Sequence, residues 1–442
     1  MGNARREDLQ IKVPALLHLS RLGYGYLSRA ELRQRDRSTN FFPGTMRAAV
    51  ERINGIRMPD EVFGRLTEDL RAGLDADDLG ERFYRTLRDG WNGIRLIDYA
   101  HPDRNLFQSA AEMDCGSGAG HFRPDITLLV NGIPLAMIEV KSGEHSGGLQ
   151  AEYNRMRERI RSGAGRRYLQ CAQVWAFSDD RAEDPDRLLP MEGAAFATAM
   201  TAGFPVYVAR ERRGGIPARL MPADPEEERR ILADNGIRVR PRTKAFWRSP
   251  DKPTHRMLTA LFYPARFLFL LRYGIQYIRE TKPGEGEVLT RRMLTAGQLA
   301  VLESMIGKAA RGYRNWTAPS RGAAGEKAAN AALIALLRDL MPGAAPVWIS
   351  PDEAEKRRDR AAFASCGATP ALMTVEEALA AGSVESDPAG RRVFILTPPA
   401  PRYGERISVG ARLRKAFPDA ILVTRTQKQA QDGGTALRLQ GR

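Results

Sequence analysis

The stretch HFRPDITLLVNGIPLAMIEVK, residues 121–141, constrains the fold more than any other part of this chain. Two apolar runs, FRPDITLLV and PLAMIEVK, flank Asn131-Gly132, a dipeptide suited to a two-residue hairpin turn because both of its residues tolerate positive φ. A pair of buried antiparallel strands is therefore expected. Those strands carry charge: Asp125 opens the first, and Glu139 and Lys141, two apart, share a face of the second. Burying such groups among Val, Ile and Leu costs several kcal/mol per ion unless they are paired or hold a metal. The hairpin must therefore carry a structural ion pair or a site.

A chain of 442 residues exceeds one ordinary domain and predicts two or three. With 43% hydrophobic and 27% charged residues it has the composition of a globular protein with an ample core, and its net charge of +15 points to a polyanionic partner, nucleic acid first. Cys115, Cys171 and Cys366 form neither a disulfide framework nor a Cys-x-x-Cys metal pattern, which predicts a reducing cytoplasm. The segment MGNARREDLQ has no apolar signal core, and no run reaches the roughly eighteen apolar residues of a membrane span. The stretch LTALFYPARFLFLLRYGIQYI, broken by Pro264, Arg266 and Arg272, is expected to be buried in protein.

In chain order, EDLQIKVPALLHLSRLGYGYLS shows helical spacing ending on Gly23 and Gly25. EVFGRLTEDLRAGL and ERFYRTLRDGWNGIRL predict two more helices, the latter leading into a strand around IRLIDY. NLFQSAAEMD predicts a strand with Glu112 near its end, followed by a Gly-rich turn, Gly116 to Gly120, and the hairpin. After a loop, LQAEYNRMRERI begins an arginine-rich helix and QVWAFSDD extends the sheet. The expected organisation is α/β: helices on a central mixed sheet over residues 1–185, a partly helical connector over 186–285, and a second domain over 286–442. Within the connector, clusters such as RAEDPDRLLP, ARERRGGIP and MPADPEEERR predict surface connections without chemistry.

Glu112, Asp125 and Glu139, brought to one sheet edge with Lys141 beside them, would make an oxygen-rich pocket suited to Mg2+ or Mn2+. Metal-assisted phosphodiester hydrolysis needs such a set: carboxylates to hold the ion, and a lysine to orient the nucleophile or neutralise developing charge. Pro124-Asp125 followed by Glu139-x-Lys141 is the proline-aspartate and glutamate-x-lysine nuclease pattern. The competing reading is a structural ion pair of Lys141 with Glu139 or Asp125.

The run NGIRLIDYAHPDRNLFQSAAEMDCGSGAGHFRPDITLLVNGIPLAMIEVKS resembles the N-terminal nuclease domain of the R subunit of type I restriction-modification enzymes. The matching positions are Asn105, Phe107, Glu112, Arg123-Pro124-Asp125, Val130 to Leu135, and Glu139 to Lys141. The resemblance implies a PD-(D/E)xK nuclease fold with Asp125 and Glu139 as metal ligands and Lys141 as the catalytic lysine. It also implies that Glu7 faces the site and that Arg123, Gln150 and Tyr153 support it or touch DNA. Family members carry Gln-x-x-x-Tyr after the lysine, whereas Gln150 and Tyr153 here are one residue closer, about 300° rather than 400° round a helix.

The same resemblance implies a RecA-like parallel-sheet motor after the connector. Gln298 stands in its place, but the phosphate loop is degenerate. Aligning Trp316 without a gap puts Gly322 at the second family glycine and Ala323 and Ala324 where lysine and threonine belong. Sliding to Gly325 and Lys327 inserts Glu326 and leaves Ala328 in place of the hydroxyl. VWIS, VFILTPPAP and AILVTRTQ keep an α/β alternation, yet no Asp-Glu-Ala-His or Thr-Gly-Thr follows, and Arg442 is reached without a second lobe. No ATP-driven translocation is expected.

Two functions follow. One is a Mg2+-dependent DNA endonuclease or nickase whose second domain is a scaffold. The other is a catalytically silent DNA-binding or assembly protein of a restriction or defence complex, partnered by methyltransferase and specificity subunits, which in the family carry the sequence specificity.

Overall fold

In the computed structural model, the described residues are 8–115, 122–141, 152, 154–156, 158–159, 162–163, 165–180, 195–198, 216–238, 247–250, 252–320, 326–343, 345–381, 393–396 and 409–427. The chain divides into two compact units, Met1–Arg212 with Ile216–Ala296, and Arg213–Gly215 with Gly297–Arg442.

The first unit is built on a six-stranded mixed sheet whose spatial order is its chain order: β1 (Gly25–Leu27), β2 (Phe107–Ala111), β3 (Ile126–Val130), β4 (Ile133–Val140), β5 (Val174–Ser178) and β6 (Ala195–Thr198). β2, β3 and β4 are antiparallel neighbours, while β1 runs parallel to β2, and β5 and β6 run parallel to β4. A two-residue turn forces β3 and β4 antiparallel, whereas β4 reaches β5 through helical crossover residues, the connection a parallel pair requires. β3 and β4 are buried along their whole length, so both faces of the sheet are covered and the strands read as continuous apolar runs. Met156, Tyr168 and Leu169 of the crossover pack in one cluster with Leu129, Met137, Trp175 and Phe177.

The hairpin forms where the sequence predicts it. Asn131 and Gly132 take φ of 54° and 76°, both positive, as a turn of the primed type needs. The Asn131 side chain is buried and tied: its Oδ1 accepts from Leu106 N at 2.8 Å, and its Nδ2 donates to Leu96 O at 2.9 Å and Asn105 Oδ1 at 3.0 Å. Leu128 pairs with Ala136 but Leu129 with Pro134, which leaves Leu135 as a bulge. That irregularity accommodates a proline in a central strand.

Four helices precede β2 or flank it: α1 (Val13–Leu22), α2 (Pro43–Asn54), α3 (Asp60–Asp75) and α4 (Glu81–Asp89); α5 (Arg166–Cys171) ends the crossover. α1 follows a π-helical turn, Asp8–Lys12, and ends on Gly23 at φ 104°. Eight of its ten residues are buried, because a second layer covers it. No strand forms at Ile94–Tyr99. The Asp98 carboxylate accepts from the N–H groups of Ala100 and His101, and Asn105 Oδ1 takes the Asp98 N–H at 2.9 Å, so side chains satisfy the backbone groups that a strand would pair. The Gly116–Gly120 turn lies outside the described residues.

That second layer comes from later in the chain. α6 (Pro225–Asp234) is capped by Asp224, whose carboxylate accepts from Glu226 N, and Tyr26 donates to Asp234 at 2.6 Å. α7 (Pro253–Phe262) and α8 (Pro264–Phe269) lead to the hairpin of β7 (Ile275–Lys282) and β8 (Gly286–Met293). The hairpin spans the 285/286 point, and the unit continues to Ala296. Tyr277 Oη donates to Gln173 Oε1 at 2.9 Å, and fully buried Arg291 donates to the carbonyls of Leu169 and Gln170. The segment expected to pack as a connector is thus fastened to the sheet.

The layer includes a stacked pair of buried imidazoles, His18 on α1 and His255 on α7, 4.4 Å between centroids. His18 Nε2 meets Thr259 Oγ1 at 2.7 Å and His255 Nδ1 meets Ser249 O at 2.6 Å. Burial first, then the neighbouring ring, holds His18 well below an ordinary imidazole, and burial brings His255 down to about 4. The unfolded chain therefore binds more protons than the folded one below pH 6.5, and stability falls as pH drops through that window towards 4. Each tenfold rise in proton activity costs about 1.4 kcal/mol per group, so His255 alone removes about 3 kcal/mol. Urea melts at pH 7 and pH 4.5 check this; His255→Gln should flatten the dependence, and an unchanged slope would contradict it.

The second unit contains a five-stranded sheet in which every pair is parallel, in the order β11 (Ala371–Thr374), β10 (Pro346–Ser350), β12 (Val393–Leu396), β13 (Ile421–Gln427) and β9 (Asn315–Ser320). Helices α9 (Ala296–Ala310), α10 (Glu326–Leu340), α11 (Glu353–Ser365), α12 (Val375–Ala381) and α13 (Val409–Ala416) alternate with the strands. Its core gathers Val347, Ile349, Phe394, Leu396, Leu413 and Leu422. The chain is therefore α/β, with a mixed sheet and a separate parallel sheet.

Candidate active site

The strand directions bring charged residues to one edge of the mixed sheet. Ala111 pairs with Ile126, and Ile126 with Ile138, so the next residues along, Glu112, Asp125 and Glu139, lie in one row across three strands. Glu112 N donates to Asp125 O at 3.1 Å, and Lys141 N to Ser178 O at 2.8 Å, which extends the row to β5.

Asp125 and Glu139 form a close carboxyl pair, with Val140 N holding Asp125 Oδ2 at 2.8 Å. Lys141 Nζ stands 3.8 Å from Asp125 Oδ2, 3.9 Å from Glu139 Oε2 and 3.5 Å from Glu152 Oε1. It neutralises the cluster without a hydrogen bond to either member of the pair. Burial, then the charge of Asp125, pushes Glu139 well above the usual carboxylate range, while Lys141 opposes the shift. Asp125 is also raised, by burial, against the pull of Lys141 and the Val140 N–H. Glu139 Oε1 and Glu152 Oε2 are buried and find no hydrogen-bond partner among the described residues.

A helical face covers this pair. Glu152 is 2% exposed and bonded to Arg155 at 2.9 Å, Met156 enters the core, and Arg159 lies with its guanidinium 4.4 Å from the Phe122 ring centroid. Burial lowers the pKa of Arg159, and the charges of Glu139 and Glu152 act against that. Glu152 was not singled out from sequence. The signal was its place at i, with Arg155, Met156 and Arg159 at i+3, i+4 and i+7, one continuous helix face.

Glu112 shares the row but not the pair. β2 ends at Ala111, and Glu112 takes φ 51°, which turns its side chain off the line of the strand. Its carboxylate meets Lys12 Nζ at 2.5 Å, with Arg123 at 3.8 Å and Arg29 at 3.9 Å. Among the described residues no group of three or more His, Cys, Asp and Glu side chains is arranged to hold a metal. Glu7, Gln150, Tyr153, Gly322 and Gly325 lie outside the described residues. Lys327, the second residue of α10, is exposed in the second unit. Among the described residues no helix is long and apolar enough to cross a membrane.

Comparison with known proteins points to one family. Residues 5–182 match the family model described as type I restriction enzyme R protein N terminus. The chain is 43% identical over 49 residues to the putative type I restriction enzyme MjaVIIP endonuclease subunit of Methanocaldococcus jannaschii, covering 11% of this chain and 5% of the relative. It is 29% identical over 93 residues to the putative MjaVIIIP endonuclease subunit of the same organism, covering 21% and 8%. To the type I restriction enzyme HindI endonuclease subunit of Haemophilus influenzae it is 31% identical over 123 residues, covering 24% and 12%. These matches span between 5% and 12% of the relatives' own lengths. Residues 5–182, which hold Asp125, Glu139 and Lys141, are thus similar to the N terminus of type I restriction enzyme R proteins.

Proposed function

We propose that the first unit is a PD-(D/E)xK-type, metal-dependent DNA endonuclease or nickase, and that the second is a RecA-like scaffold that does not drive translocation. The observation that carries this reading is the Asp125–Glu139 pair, a half-buried and a buried carboxyl set side by side on apolar strands with Lys141 Nζ 3.8 and 3.9 Å away. A divalent cation suits them: the donors are all oxygen, Glu139 Oε1 lacks a partner among the described residues, and positive charge would offset the burial that raises both groups and the Asp125 charge that further raises Glu139. Asp125 and Glu139 would hold Mg2+ or Mn2+, which when bound polarises a phosphoryl oxygen and lowers the pKa of a water.

The chain's own groups supply the rest. Lys141 offers its ammonium to the attacking water or to the charge that builds on phosphorus oxygens. Glu152, on the crossover and 3.5 Å away, steadies Lys141. The Val140 N–H fixes Asp125, and the apolar strands beneath keep water from reaching the pair from below. A net charge of +15 supplies affinity for DNA. Methyltransferase and specificity subunits are the proposed protein partners. In the second unit, Glu326 opens α10 and pairs with buried Arg425 at 3.4 Å, placing a carboxylate where a phosphate would need the positive end of the helix. That supports a lobe without ATP turnover.

The test is supercoiled plasmid with Mg2+ and no ATP. The wild type should nick or linearise it, and Asp125→Ala should not. Binding without cleavage by both would instead support the silent DNA-binding or assembly reading, which the engagement of Glu112 with Lys12 favours. Glu152→Ala should lower kcat roughly tenfold, the equivalent of one ion pair of about 1.4 kcal/mol, with KM little changed. Glu152→Asp should restore part of the rate; equal rates for all three proteins would remove Glu152 from the mechanism.

A further inference from the structure

We infer that Lys12, Arg29 and Arg123 form a phosphate-binding subsite beside the carboxyl pair, seating the phosphodiester next to the one that is cut. This rests on the nuclease reading above. Arg29 follows β1, Glu112 follows β2 and Arg123 precedes β3, and the parallel and antiparallel pairings of these strands carry all three to the same sheet edge. Three cationic heads surround the Glu112 carboxylate at 2.5, 3.8 and 3.9 Å. A phosphodiester would set further negative charge against the two exposed guanidiniums.

The division of labour is visible in exposure. Lys12 is 3% exposed and grips Glu112, fixing the carboxylate from below. The side chains of Arg29 and Arg123 are 66% and 55% exposed, and neither guanidinium makes a hydrogen bond to a described residue. At 3.8–3.9 Å from a partly exposed carboxylate such pairs add little to stability. Their forks are exposed to a ligand, and a planar guanidinium matches phosphate geometry. Glu112 keeps the two forks close without saturating them.

The place is set by the sheet. Asp125 lies directly beside Glu112 in register, one strand spacing of about 4.8 Å away. Lys12 is also among the charges that act on Asp125. The subsite is therefore continuous with the Asp125–Glu139 pair and flanks it on the side opposite β5.

Binding of a 30-base-pair duplex, followed by fluorescence anisotropy in EDTA across a salt series, tests the assignment. The double variant Arg29→Gln, Arg123→Gln should lower the log–log salt slope by about 0.9, the value of the one phosphate contact that is lost. Arg29→Lys, Arg123→Lys should keep the slope and still raise KM for plasmid cleavage, because charge is retained and the planar fork is lost. Asp125→Asn should bind with the wild-type slope. An unchanged slope in the Gln variant overturns the subsite. A wild type that binds but never cleaves overturns the nuclease reading, and the slope still decides the subsite. Both arginines are more than half exposed, so the fold does not depend on them.

Discussion

Lys141→Met is expected to reduce plasmid cleavage by about 10²–10³-fold, the usual loss when one preorganised charge facing the reacting centre is removed. No neighbour replaces it. Arg155 is committed to Glu152 at 2.9 Å, and Arg159 is stacked on Phe122. Without the ammonium, Asp125, Glu139 and Glu152 lose the cation they share, and Asp125 and Glu139 are left side by side without it. Lys141→Arg should not restore the rate, since a planar fork cannot occupy the space of a compact ammonium set among three carboxylates. The measurement is the initial rate of supercoil loss, with duplex binding as the control. A rate within threefold of wild type would return Lys141 to the status of a structural ion pair.

Gly132→Ala is expected to destabilise the fold by about 2–5 kcal/mol. A side chain at φ 76° costs about 1–2 kcal/mol. The added Cβ would also stand 2.9 Å from Phe42 O and 3.1 Å from Met46 N, both backbone atoms at the start of α2. Neither retreats cheaply, because Phe42 N donates to Gly132 O at 2.9 Å; overpacking of this kind costs a further 1–3 kcal/mol or so. Urea denaturation reads the loss directly. A change below about 1 kcal/mol would mean that α2 slides away from the turn.

The hairpin was legible because its determinants are local: Asn-Gly fixes the turn, and the turn fixes the register that sets Asp125 opposite Glu139. By contrast α6, within the stretch MPADPEEERR expected to be a surface connection, had a local signal in Asp224-Pro225, a capped helix start that turn-rich charge obscures. What was not legible depends on distant partners. Glu112 has the right residue type and the right register, but its positive φ and its bond to Lys12, a hundred positions earlier, take it away from the pair. Lys12 gave a faint signal, a lysine between Ile11 and Val13 at the start of an apolar helix. The expected strand at Ile94–Tyr99 failed because Asp98 and Asn105 capture the backbone, which hydrophobic alternation does not register.

The second layer of the first unit gives the match to residues 5–182 a different meaning. The family match ends at residue 182, but the compact unit runs on to Ala296: Ser178 shares a hydrogen bond of 2.6 Å with Thr254, His18 stacks on His255, and Arg291 is threaded onto the carbonyls that end α5. The limb that carries Lys12 to the sheet edge is thus roofed by chain that the comparison does not reach. The matched segment and the compact unit have different bounds in this protein, and the residues that hold the site together extend beyond those that identify it.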